Sequence, residues 1–199
     1  MSKWRTFAAD GETEIVVLNS RFIASGAEVR ELSQAEGFLQ RIQQAYPDAT
    51  HHCYAFKVLG PPIVDRFSDD GEPNGTAGRP ILTVLEHHLA NAIIVVTRYF
   101  GGTKLGTGGL VKAYTQAAKA LIETLGVIEQ EPELGLELEY PYALAPILEH
   151  WLKQQGLTAE LVYAASVSAT LKVPLSRLDE IQAALAEWSH QGLAWIEIE

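Results

Sequence analysis

LGLELEY (134–140), YALAPILEHWLKQQG (142–156), TAELVY (158–163), SVSATLKV (166–173), SRLDEIQAALAEWSH (176–190) and LAWIEI (193–198) follow one another through the last third of the chain. The first alternates Leu and Glu, the period of a half-exposed strand. The second reads as a helix closed by Gly156, and the third and fourth read as strands. Ser176 and Asp179 cap a second helix reaching about His190, and the last segment is a final strand. The order βαββαβ in about 65 residues is the ferredoxin-like split arrangement.

Working back from that unit, Glu129–Glu133 is a charged segment containing Pro132, and it places a boundary there. Residues 1–132 and 133–199 are expected to form two domains. In the first, Glu14–Leu18 and Arg21–Ala27 read as a strand pair broken at Asn19-Ser20. Ser33 and Glu36 have the spacing of a capping box, opening a helix to about Tyr46. His51–Val58 is a strand, Ser68–Gly78 has turn composition, and Pro80 opens a helix to about Ala90. Ala92–Phe100 is an apolar strand, buried on both faces as far as Val96. Gly101–Gly109 holds five glycines in nine residues, and a helix follows from about Leu110 to Leu125. The fold class is α+β.

The 199 residues carry 15 Lys and Arg against 25 Asp and Glu, a net charge of −10. With 47% hydrophobic residues, a disordered chain is excluded. No apolar run nears the ~20 residues of a membrane span; Ala92–Val96 is the longest in the middle of the chain. The start has no apolar signal segment, and the lone Cys53 fits a reducing cytoplasm. Residues 131–199 hold 3 basic and 11 acidic side chains, net −8, against net −2 for the rest. His87–Ile122 contains no carboxylate, yet holds Arg98, Lys104, Lys112 and Lys119. That stretch is a local basic feature inside an acidic chain.

RYFGGTKLGTGGL, Arg98–Leu110, joins a buried strand to a helix. A glycine-rich junction lets backbone N–H groups approach a phosphate, with the helix dipole favouring the anion. The same glycines also suit a tight turn needing positive φ and close packing. Neither the P-loop nor the dinucleotide spacing is present. SDDGEPNGTAGRP, Ser68–Pro80, offers Asp69, Asp70 and Glu72 as oxygen ligands for a hard cation such as Mg²⁺. Its dipeptides are equally those of ordinary turns capping the next helix. His51 and Cys53 share a strand face but have no second ligand pair for zinc. Cys53 has no local base to activate it.

SRFIA (20–24), ATHHCYAF (49–56), SDDGEPNGTAGRPIL (68–82) and VVTRYFGGTKLGTGGLVKAY (95–114) closely resemble the IMPACT family over about residues 15–125. The second unit looks like the elongation-factor-G-type domain that bacterial members append. The resemblance implies an N-terminal α/β sandwich like a ribosomal-protein second domain, beside the ferredoxin-like unit. It also implies a role in regulating translation, as in the eukaryotic relative, through RNA, the ribosome or a translation-associated protein. Departures are His52 for Asn, Asn74 for Ser, Thr103 for Ile and Lys112 for Arg. The last keeps charge but loses the planar fork.

A noncatalytic cytoplasmic binding protein is therefore expected, with no cofactor, no metal and no membrane. Its candidate contact residues are Arg98, Tyr99, Gly101, Gly102, Lys104, Gly106, Gly108, Gly109 and Lys112 of the glycine stretch. Asp69, Asp70, Glu72, Thr76 and Arg79 join them from the turn segment, and His51 from the strand. The alternative is a Mg²⁺-dependent enzyme acting on a phosphorylated small molecule or nucleotide, with Asp69, Asp70 or Glu72 holding the metal. An acidic metal cluster facing the glycine loop across one pocket would favour the enzyme, and a broad exposed basic face without a concave pocket the binder.

Overall fold

The computed structural model describes residues 3–198, and its contacts divide the chain after Gln130. The first unit contains β1 (Trp4–Phe7), β2 (Gly11–Val17), β3 (Ser20–Glu28), α1 (Leu32–Ala45), β4 (His51–Val58) and β5 (Val64–Ser68). These are followed by α2 (Gly78–His88), β6 (Ala92–Tyr99), α3 (Gly106–Leu125) and β7 (Val127–Gln130). Strands β2-β3-β6-β4-β5 form one antiparallel sheet in that spatial order. The central strand β6 is apolar because both its faces are covered. Ile94 and Val96 pack beneath α2 and α3, whereas Ile93 and Val95 pack against α1. This alternation makes a sandwich and decides which way each later residue of β6 points.

Several local expectations shift. The β2–β3 turn is Leu18-Asn19, both at positive φ (45° and 65°), because Ser20 already pairs with Val17. That two-residue loop matches the twist of the strands it joins. The capping box is absent: α1 starts before Ser33 and has no side-chain cap, and the Gln34 Oε1 instead accepts the Arg30 N–H at 2.7 Å. Glu36 is drawn outward to Arg66, 3.3 Å away. Helix α3 begins at Gly106, so Gly106, Gly108 and Gly109 form its first turn and not a loop. The short strands β1 and β7, which pair with each other, and β5 had no legible alternation in the sequence.

The second unit contains β8 (Glu133–Tyr140), α4 (Ala145–Gln154), β9 (Ala159–Tyr163), β10 (Val167–Pro174), α5 (Leu178–Ala186) and β11 (Ala194–Ile198). Its sheet runs β11-β8-β10-β9, antiparallel throughout, which is the ferredoxin-like order. Leu136, Leu138 and Tyr140 turn into the core with Leu148, Leu152, Ile181 and Leu185. Glu137 and Glu139 face solvent on the other side of the sheet. Residues 175–177 form a short 3₁₀ turn before α5, so the Ser176 cap does not form. Asp179 and Glu180 lie in the first turn of α5, where they favour its dipole. Among the described residues no helix is long and apolar enough to cross a membrane.

A unit of this size buries only about 60% of its unfolded surface, so it should be marginal by itself. Residues 133–199 expressed alone are expected to melt cooperatively, with a near-ultraviolet dichroism signal from the Trp151–Trp188 edge contact at 5.0 Å. A random-coil spectrum at low temperature would show the boundary to be misplaced.

Candidate functional site

The Ser68–Pro80 segment is organised around one carboxylate. Asp69 Oδ1 accepts the N–H groups of Ala77 (2.9 Å) and Gly78 (2.8 Å), and Oδ2 accepts that of Gly75 (2.8 Å). It therefore caps α2 from eight residues upstream, which answers otherwise orphaned donors. Asp70 accepts the His52 N–H at 2.5 Å. Thr76 is buried and donates to the Pro73 carbonyl at 2.7 Å. These three side chains hold the loop.

Glu72 differs from them. It is only 8% exposed, and its Oε1 accepts Arg98 Nη1 at 2.5 Å and the Tyr114 hydroxyl at 2.7 Å. Arg98 points toward α2 and α3, as the alternation of β6 requires, and is itself 5% exposed. Its Nη2 donates to Ser20 Oγ at 3.3 Å, and its guanidinium lies 5.4 Å from each of the Phe22 and Phe100 rings. Ser20 Oγ also accepts the Gly101 N–H at 3.1 Å. Arg98 is thus a buried, paired cation and not the exposed, unneutralised contact expected from its acid-free stretch. Its carboxylate comes from 26 residues upstream. Tyr99 lies on the opposite face of the sheet, under Arg21 at 5.3 Å, and does not join the site.

Behind Glu72 sits a polar layer. His51 Nδ1 lies 2.7 Å from the Asp70 carbonyl, which only accepts, so that nitrogen carries the proton. His51 Nε2 then faces Glu72 Oε2 at 3.9 Å. The Cys53 sulfur is 3.0 Å from the Asp69 carbonyl and 3.3 Å from the Tyr114 hydroxyl oxygen. Burial pushes both the Cys53 thiol and the Tyr114 phenol well up, so both stay protonated. A thiol held protonated is a poor nucleophile.

The two sequence motifs meet at a cleft of about 380 Å³. Glu72 and Pro73 form one wall, Arg98 and Phe100 line its inner part, and Lys104–Thr107 at the start of α3 form the other wall. Two charges of the Glu72–Arg98 pair cancel, which leaves Lys104 as the net charge of the lining. Lys104 is exposed and has no ion-pair partner among the described residues. The first-turn N–H groups of α3 have no intrahelical acceptor and no side-chain cap. Phe100 is 47% exposed beside them.

The glycines divide by function. A Cβ on Gly101 would stand 2.1 Å from the Asn19 backbone, so the β2–β3 turn requires glycine there. Gly108 has neither a positive φ nor any atom within 4 Å of its absent Cβ. A helical glycine costs about 1 kcal/mol relative to Ala, and packing gives no reason for this one. Its absence of side chain leaves the first turn of α3 open to close approach.

The structure therefore brings Glu72, Arg98, Lys104 and Gly106 together, with His51 behind, whereas Gly101, Gly102, Gly108 and Gly109 adjoin the lining in sequence without being part of it. Lys112 and Arg79 are exposed on α3 and α2 outside the cleft. Phe100, Ser20 and Tyr114 were missed. In the sequence Phe100 read as the end of a strand and Tyr114 as one residue of an apolar helix stripe.

The fold and the site define a two-domain α+β protein whose first unit carries a small cationic cleft at a helix N-terminus. A family model for the Impact N-terminal domain matches residues 18–122, and one for a domain of unknown function (DUF1949) matches residues 138–191. The chain belongs to the IMPACT family. It is 34% identical to the IMPACT family member YigZ of Escherichia coli (strain K12), over 100% of both proteins. It is 38% identical to the IMPACT family member YvyE of Bacillus subtilis (strain 168), over 79% of this chain and 73% of that one. A crystal structure described as a hypothetical protein is 32% identical, with a TM-score of 0.67, covering 100% of this chain and 98% of the other.

Two outcomes follow from the geometry. Glu72→Gln should cost about 3–5 kcal/mol in chemical denaturation, because it strands the buried Arg98 cation. The double change Glu72→Met with Arg98→Met should recover most of that loss, and a single-mutant loss below about 1 kcal/mol would remove the pair as the organising contact. Millimolar Mg²⁺ should leave the melting temperature unchanged, since Asp69, Asp70 and Glu72 already accept protein donors. A Mg²⁺-dependent rise that Asp70→Asn abolishes would establish the metal-dependent alternative.

Proposed function

We propose that the protein is a noncatalytic cytoplasmic binding protein that takes part in regulating translation by holding RNA in the cleft at the start of α3. One observation carries the reading: Phe100 stands beside Lys104 and the uncapped first turn of α3 in a single lining. An exposed aromatic ring offers a stacking surface for a base, worth about 1–3 kcal/mol. An amine and free backbone donors at a helix N-terminus suit the adjoining phosphate. The cleft is too small for a duplex, so an unpaired nucleotide is the matching shape. Membership of the IMPACT family, whose eukaryotic relative regulates translation, supplies the setting. The ribosome or a translation-associated protein would present such RNA.

The open sheet face of the second unit does not suit the same task. It presents Glu137, Glu139 and Glu160 to solvent, without an aromatic platform. RNA contact is therefore assigned to the first unit alone.

Labelled single-stranded RNA titrated at several salt concentrations tests this. Contacts to two to four phosphates give a slope of log affinity on log salt of roughly −1.5 to −3. Lys104→Glu with Lys112→Glu should lower both affinity and slope, and Lys153→Glu in the second unit should change little. Equal slopes for wild type and the double variant would remove this loop as the RNA site.

A further inference from the structure

The cleft lies at the head of a longer surface. Thr107, Val111, Thr115 and Lys119 recur every four residues along one face of α3. Arg79, Thr83 and His87 do the same on α2. Between these two rows runs a groove of about 660 Å³, with Pro80, Val84 and Val111 among its lining. Its wall starts at Gly75, two residues beyond Pro73 of the cleft, and at Val111, one turn beyond Thr107. From Thr107 to Lys119 the rise along α3 is about 18 Å.

The charge of the groove is one-sided. Arg79 and Lys119 are the cations of its lining, His87 and His88 lie beside them, and no carboxylate lines it. Lys112 and Lys119 stand along the adjoining depression on α3, which Glu123 closes at its far end. Thr115 adds a hydroxyl suited to phosphate or ribose oxygens, whereas the Thr83 hydroxyl already donates to the Arg79 carbonyl at 3.0 Å. The cations of the cleft and the groove thus continue one another from Lys104 to Lys119.

We infer that RNA whose terminal nucleotide sits in the cleft continues along the α2–α3 groove, with Arg79 and Lys119 as phosphate contacts and a footprint of about four nucleotides. This rests on the reading of the cleft as an RNA site. The charge complementarity and the continuity with an aromatic stacking surface favour a single strand over an acidic peptide. The apolar lining then packs against ribose and base faces and not against leucines.

The test uses the full chain and labelled oligouridylates of one to eight nucleotides at low salt. Affinity should climb with length to about four or five nucleotides and then level off. Arg79→Glu with Lys119→Glu should weaken the octamer at least tenfold and leave uridine monophosphate binding unchanged, whereas Lys104→Glu weakens every length. Arg79→Gln with Lys119→Gln, checked by its melting temperature, guards against loss of fold. Affinity that does not grow beyond two nucleotides, or an octamer that the groove variants bind like wild type, overturns the inference and leaves the cleft reading standing. Failure of every oligonucleotide to bind overturns both. A glutamate octapeptide that binds more tightly than the RNA octamer, and needs Arg79 and Lys119, gives the groove to an acidic protein partner instead.

Discussion

The Glu72–Arg98 pair ties the turn segment after β5 to the end of the central strand, and through Tyr114 and Ser20 it reaches α3 and the β2–β3 turn. Both ions are nearly fully buried, so neither tolerates loss of the other. Four parts of the chain that are remote in sequence are fixed by one contact. The cleft exists because the pair sets Pro73 and Phe100 at a defined distance from the start of α3. It also sets the electrostatics, since a free Glu72 beside the loop would offset the positive charge of Lys104.

Around this contact the loops are rigid for reasons of their own. Asp69 converts a turn-rich segment into a cap for α2, and Gly101 permits the glycine stretch to touch the Asn19 backbone. What remains adaptable is the exposed rim of Lys104 and the first turn of α3. A rigid frame with a few open donors is the arrangement that binds an anion without reorganising first.

The order of elements in the ferredoxin-like unit was legible, because alternation in β8 and helical periodicity in α4 and α5 report burial directly, although the Ser176 cap did not form and α5 ends at Ala186. The sheet of the first unit was legible wherever an apolar strand was long enough, as in β4 and β6. The capping box at Ser33 failed because the helix starts one residue before it, with Gln34 accepting the Arg30 N–H and Glu36 drawn to Arg66. Charge was the hardest quantity to read. Arg98 looked exposed since no acid lies near it in sequence, yet strand pairing carries Glu72 to it from the other motif. Tyr99 looked like part of the site because it adjoins Arg98, and the twofold alternation of a strand sends it to the other face. The three carboxylates of one short segment were indistinguishable on paper, and only the folded loop separates Asp69 and Asp70 as structural from Glu72 as the ion-pair member.

The carboxylates on the open sheet of the second unit give the molecule an unusual economy for a protein assigned to a polyanion. With net charge −10, its far field repels bulk nucleic acid. Long-range attraction, which makes basic proteins linger on any RNA they meet, is absent. The first unit's local cations act on an anion only within a Debye length, about 8 Å at physiological salt. On the proposed reading, retention of RNA would rest on these local cations alone and not on the far field of the molecule.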